Sequence, residues 1–233
     1  MSFNPSINMK KYLIDYFSER SEKMHGQEGH HVGPVVTISR EFGCGANDLT
    51  AKLMKVLISR NKEWKHVNKE ILEETARELH TQPDKIKHVF NPHDKNVLSD
   101  MLTGLSHAHA VSDARVHKVV SEVIASFAHK GKVIIVGRGG VAITRTIPNS
   151  LHIKLMAPIE WRAQGISERR KITMDKAREL ALDFDHRRDL FINHLLDKKE
   201  DNSIYDLILN RMSLSDEELI GIILYAMEKK NLI

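Results

Sequence analysis

The segment from residue 34 to residue 57 most limits what this chain can become. Val35-Val36-Thr37-Ile38-Ser39 is a short β-branched run, the composition of a strand buried in a parallel sheet. A turn containing Gly43 and Gly45 follows. Leu49, Leu53, Val56 and Leu57 then recur at i, i+4, i+7 and i+8, the spacing of an amphipathic helix.

The same alternation returns along the chain. Residues 64–67 read as a second short strand, and Ile71, Leu72, Thr75, Ala76 and Leu79 as a helical stripe. Residues 80–110, with Pro83, Pro92 and several histidines, show no clear period. Ser112 is placed to cap a helix carrying Val116, Val119, Val120, Val123, Ile124 and Phe127, which Lys130-Gly131 ends. Residues 132–136 form a strand stopped by Gly137, and residues 151–156 another. Pro158 opens a helix at its first position, a long helix covers residues 173–196, and residues 204–209 are the last strand. Ser215-x-x-Glu218 is a capping box before the final helix. Strands alternating with helices predict a parallel sheet covered on both faces.

Residues 1–33 stand apart from the α/β domain expected over 34–233. Tyr12, Leu13, Tyr16 and Phe17 make one apolar stripe, and the polar, glycine-containing stretch that follows reads as a linker. The helix either docks on its own domain or serves as a dimerisation arm joining two copies.

Composition narrows the function classes. Cys44 is the single cysteine, which excludes an intrachain disulfide and a Cys-rich zinc site. The 14 histidines are scattered without metal-ligand spacing. A net charge of +4 suits a protein that handles phosphate but is too small to argue for nucleic acid. The basic residues are not interleaved with stacking aromatics, so no nucleic-acid partner is expected. Neither a membrane span nor a signal peptide is evident, and a cytoplasmic location is expected, with no membrane partner.

Three features carry chemistry. The turn from Ser39 to Asp48, SREFGCGAND, joins the first strand to the first strong helix. Its glycines let backbone N–H groups approach an anion, and the helix N-terminus adds partial positive charge. The plainer reading is a tight turn that needs glycine. A standard phosphate loop ends Gly-Lys-Ser/Thr; here Gly45 is followed by Ala46 at the lysine position, and Asp48 lies one residue beyond the Ser/Thr position. Arg40 is the nearest fixed cation, and Asp48 is suited to a place beside magnesium. Cys44 has no identifiable histidine partner, so packing is its expected role.

The second feature is Gly137-Arg138-Gly139-Gly140, directly after a strand. Ligands of parallel α/β sheets bind outside the carboxyl ends of strands, and the planar fork of Arg138 suits a phosphate. The third is a set of arginines. Arg162, Ile166, Arg169 and Arg170 share one helical face, and Arg188 falls on the apolar stripe of the next helix, with Asp185 three residues earlier to orient it.

The chain resembles the cytidylate kinase-like family over about residues 35–227, through VTISREFGCG, VIIVGRGGVAI, LHIKLMAPIEWR, Asp185-x-x-Arg188 and YDLILN ending at Asn210. The resemblance implies a three-layer α/β/α sandwich of the P-loop kinase type with a helical lid at about residues 162–196. It implies transfer of the ATP γ-phosphate to CMP or dCMP, with ATP and Mg²⁺ as cofactors and nucleotides as partners. Gly43, Cys44, Gly45, Ala46, Asn47 and Asp48 would form the donor-phosphate loop. Arg138 would contact the acceptor; Arg162, Arg169 or Arg170, and Arg188 would hold phosphates from the lid. Two departures, Ala46 and Asn68 (where relatives often have an acid), bear on catalysis and leave open a nucleotide-binding protein without turnover.

Overall fold

The computed structural model describes residues 33–68, 70–80, 82, 113–196, 199 and 201–233. The expected N-terminal helix and linker before residue 33, most of the aperiodic stretch and the Ser112 cap lie outside the described residues.

The chain divides into two compact units. The first, over described residues 33–67 and 127–233, holds a five-stranded sheet of order β2-β3-β1-β4-β5. Its strands are β1 (Val35–Arg40), β2 (Lys65–Val67), β3 (Val133–Val136), β4 (Ser150–Met156) and β5 (Leu207–Asn210). Every pairing is parallel, with Ile38 opposite Val136 on one side and Ile153 on the other. Nearly every residue of β1, β3 and β4 is buried, because parallel strands are covered on both faces.

One face of the sheet is covered by α1 (Ala46–Ser59) and by α7 (Asp216–Lys229, with five described α-helices between them in the chain). Val36, Ile38, Ile134, Val136, Leu151 and Ile153 meet Leu49, Leu53 and Leu57 of α1 and Leu219, Ile223 and Met227 of α7 in a single core. The capping box at Ser215 and Glu218 forms as the spacing predicts. On the other face lie α4 (Gly140–Thr144) and the end of α6 (Met174–Leu196), which share Val141, Ala142, Ile192 and Leu196 with Tyr205. A Cβ on Gly140 would stand 2.9 Å from Ile135, so glycine there lets α4 rest directly on the sheet. On this same face Thr37 and His152, opposite one another in the register, join through Oγ1 and Nδ1 at 2.8 Å, and burial lowers the His152 pKa. The layers are those of the expected α/β/α sandwich.

α5 (Ile159–Arg170) and α6 form a hairpin over the segment expected as the lid. Ala163, Ala177 and Ala181 let the two helices approach closely. Arg178 crosses between them with a two-pronged pair to Glu160, at 2.9 and 2.8 Å.

Some boundaries, and one short helix, differ from the sequence reading. Pro158 is the N-cap residue of α5, with extended backbone, and Ile159 is the first helical residue. Residues 202–204 are a 3₁₀ turn, so β5 starts at Leu207. The Asp201 carboxylate accepts the Ser203 N–H and holds that turn. The short helix α4 had no periodic signal to announce it.

The second unit, over described residues 68–126, holds α2 (Glu70–Glu78) and most of α3 (Asp113–Lys130, its last turn belonging to the first unit). Ile71, Ala76, Val116, Val120, Val123 and Ile124 are buried. Glu74 is buried too, paired with Arg77 at 2.5 Å. Among the described residues, no helix is long and apolar enough to cross a membrane.

Candidate functional site

The connections leaving β1 and β4 run toward opposite edges of the sheet. Beyond the carboxyl ends of such strands an α/β sheet offers a crevice. A cleft of about 380 Å³ lies there, lined by Arg40, Glu41, Phe42, Gly43, Gly45, Ala46, Asn47, Asp48, Ile166, Arg169, Arg170 and Arg188. The glycine turn, the start of α1 and the α5–α6 hairpin are thus brought to one place.

The turn needs its glycines. Gly43 has φ +98° and a Cβ there would stand 3.1 Å from Arg162 and Ile166; Gly45, the N-cap of α1, has φ +63°. No side chain caps α1, so the backbone N–H groups of its first turn carry the positive end of the helix at the cleft. Ala46 is buried, while Asn47 and Asp48 are exposed.

Arg162 stands beneath the cleft and does not line it. It is 5% exposed. Its Nε donates to the Ala157 carbonyl at 2.8 Å, and its Nη1 donates to the Phe42 carbonyl at 3.1 Å and to Asp185 Oδ2 at 2.6 Å. Glu41 adds a carboxylate 3.3 Å from Nε and accepts the Ala157 N–H at 3.0 Å. These bonds fix the loop against the hairpin and leave Arg162 a supporting residue of the site. The shared helical face was read correctly for Ile166, Arg169 and Arg170, which do line the cleft.

Asp185 also stands under the loop. Its Oδ1 accepts the Phe42 N–H at 2.6 Å and lies 3.5 Å from Arg188 Nη1. Arg188 donates in turn to the Arg40 carbonyl at 3.2 Å. The Phe42 ring stacks on Phe184 with centroids 4.4 Å apart and planes 8° from parallel. The Arg170 and Arg188 guanidiniums stand 5.3 and 5.5 Å from its centroid.

Arg40, Arg138 and Arg188 make a cluster of cations. Burial first, then Arg188 and Arg138, together lower the Arg40 pKa to about 9 against the opposing Asp185. Burial and then Arg188 push Arg138 down to about 10, and burial lowers Arg188 as well. The Arg40 guanidinium crosses Gly137, where a Cβ would stand 1.7 Å from Nη1. Arg138 follows with φ +57°, a conformation that costs an L-residue energy and marks functional turns more often than ordinary ones. Neither Glu41 nor Asp48 is among the groups that shift Arg40.

The Cys44 thiol is 1% exposed, and burial pushes its pKa up to about 12. It packs in the core, and its backbone forms the loop. Among the described residues, no group of three His, Cys, Asp or Glu is arranged to hold a metal. Asp48, exposed in the first turn of α1, remains the loop carboxylate open to a cation that arrives with its own phosphate ligands.

The sequence reading missed Arg211. It follows β5, donates from Nε to the Cys44 carbonyl at 3.0 Å and pairs through Nη1 with Asp216 Oδ1 at 2.6 Å. Its position just past the carboxyl end of a strand was the available signal.

Residues 35–213 match the cytidylate kinase-like family. No curated protein matches the sequence. The fold is similar to that of an uncharacterized protein from Eubacterium ventriosum ATCC 27560, at 18% identity and a TM-score of 0.59, covering 84% of this chain and 98% of that one. Shikimate kinase from Bacteroides thetaiotaomicron aligns at 9% identity and a TM-score of 0.48, covering 84% of this chain and 98% of its own.

Proposed function

The chain belongs to the cytidylate kinase-like family, and from that premise we propose that it is an ATP-dependent phosphotransferase acting on a nucleoside monophosphate of the CMP or dCMP kind. The observation that carries the reading is that Arg40 and Arg188 line the cleft beside a glycine loop and a helix N-terminus, with Arg138 close enough to act on Arg40. Cations gathered this closely repel one another, and an anion bound among them relieves that repulsion. The Asp185 carboxylate serves Phe42, Arg162 and Arg188.

Each residue then has a role. The backbone of residues 43–48 and the start of α1 hold the donor phosphates. Arg40 supplies positive charge that Ala46 lacks. Arg138, at the end of a different strand, holds the acceptor phosphate. Arg169, Arg170 and Arg188 close over the migrating group from the hairpin and exclude water. Asp48 would hold magnesium, which supplies charge neutralisation on the donor's phosphate oxygens. An acceptor phosphate oxygen forms a new bond to the γ-phosphorus as the bond from that phosphorus to the β-bridging oxygen breaks. ADP and a nucleoside diphosphate leave. Little covalent chemistry is asked of the protein; positioning and fixed positive charge do the work.

A second reading, nucleotide binding without turnover, is favoured by Ala46 at the lysine position. A thermal-shift screen of nucleoside mono- and triphosphates, with and without magnesium, tests what the two share. A ligand at 100 times its Kd stabilises the fold by about 2.7 kcal/mol. No shift with any nucleotide at millimolar concentration overturns both.

A further inference from the structure

We infer that Arg211 is a positioning residue for the donor loop, acting through the Cys44–Gly45 peptide; this rests on residues 43–48 being the donor-phosphate loop. Its Nε–H fixes the Cys44 carbonyl at 3.0 Å. A trans peptide points its C=O and the following N–H to opposite sides. Turning the Cys44 carbonyl toward Arg211 therefore turns the Gly45 N–H away from it, at a residue that lines the cleft. The loop thereby presents a donor where its own carbonyl would otherwise repel phosphate. The guanidinium also lies against Gly45, with Nη2 3.8 Å from where a Cβ would be.

Arg211 is held from behind. Asp216 Oδ1 pairs with Nη1 at 2.6 Å, and Asp216 Oδ2 accepts from Lys52 of α1 at 2.5 Å. The first residue of α7 therefore ties the loop after β5 to the helix that follows the glycine turn. Arg211 and Asp216 are 13% and 17% exposed, so the pair is sheltered from solvent. The geometry asks for arginine. One planar fork reaches the carbonyl and the carboxylate through two nitrogens, whereas lysine has one nitrogen to offer.

The test is titration of the full chain with MgATP and with inorganic tripolyphosphate, beside the Tm of the ligand-free protein, for wild type, Arg211→Lys and Arg211→Met. Losing one charge-assisted bond corresponds to roughly a tenfold to hundredfold change. Arg211→Met is expected to weaken both ligands by that factor. Arg211→Lys is expected to leave Tm within about 2 °C of wild type, since it can still pair with Asp216, yet to weaken both ligands at least fivefold. If Arg211→Met does not fold, Arg211→Lys decides alone. Unchanged affinity in a folded variant overturns the inference, as does recovery of full affinity by lysine. Wild-type protein that binds neither ligand overturns the loop assignment itself.

Discussion

The Phe42 backbone N–H donates to Asp185 Oδ1 at 2.6 Å, across 143 residues of chain. The first strand's exit is thereby bonded to the middle of α6. Because Arg162 of α5 grips the Phe42 carbonyl and Asp185 together, the hairpin and the loop entrance form one hydrogen-bonded piece. Whatever moves α6 either carries residue 42 along or breaks these bonds, so loop geometry and hairpin position are coupled.

Asp185→Asn is expected to destabilise the ligand-free protein. Removing one partner of a sheltered ion pair leaves Arg162 underpaired, at a cost of about 3 kcal/mol. At about 2–4 °C per kcal/mol for a chain of this size, Tm falls by roughly 6–12 °C. Calorimetry checks it; an unchanged Tm would remove Asp185 from its structural role.

Phosphate affinity is expected to depend on pH through Arg40. The protonated guanidinium binds the anion, and the anion raises its pKa above the ligand-free value of about 9. Binding therefore takes up a proton between those two values, so affinity falls as pH rises through 9 and changes little below about pH 8. Titrations with MgATP at pH 8 and pH 10, with folding verified at both, check the sign. Arg40→Met removes the pH dependence and most of the affinity, while its ligand-free protein melts no lower than wild type. Rising affinity toward pH 10 would contradict the assignment.

Gly137→Ala is expected to act on Arg40 without touching the core. The new Cβ would fall 1.7 Å from Arg40 Nη1, and φ is +71°. The backbone strain costs about 1–2 kcal/mol, and the arginine is driven from its place. Tm drops by a few degrees and MgATP affinity at least tenfold. Gly221→Ala is the control, since nothing lies within 4 Å of a Cβ there; it leaves affinity unchanged and raises Tm slightly. Equal affinity in the two variants would sink the role given to Arg40.

Much of this arrangement was legible beforehand, and the rest fails for identifiable reasons. The strand at residues 35–39, the α1 stripe and the Ser215–Glu218 box are local patterns, and the structure holds them. Ile204 was read as strand because its apolar neighbours outweighed Asp201, whose carboxylate bends the backbone into a turn. Helical spacing correctly put Arg162 with Arg169 and Arg170 on one face. Spacing carries no depth, however, and Arg162, two turns earlier, lies against Ala157 and Phe42, whereas the other two are exposed and reach the cleft. Arg211 carries no period at all. Its meaning comes from Cys44, 167 residues away in the chain, a relation that only the folded sheet creates.

The most direct measurement is product formation by the purified chain, followed by ³¹P NMR or chromatography, with MgATP and CMP or dCMP. The account predicts ADP and CDP (or dCDP) in equal amounts, turnover dependent on both substrates, and at least a hundredfold loss in Arg138→Ala and Arg188→Ala proteins that still melt normally. Contradiction would be nucleotide bound at the cleft with neither ADP nor a nucleoside diphosphate formed above the protein-free blank over hours, or product formed equally well by both arginine variants.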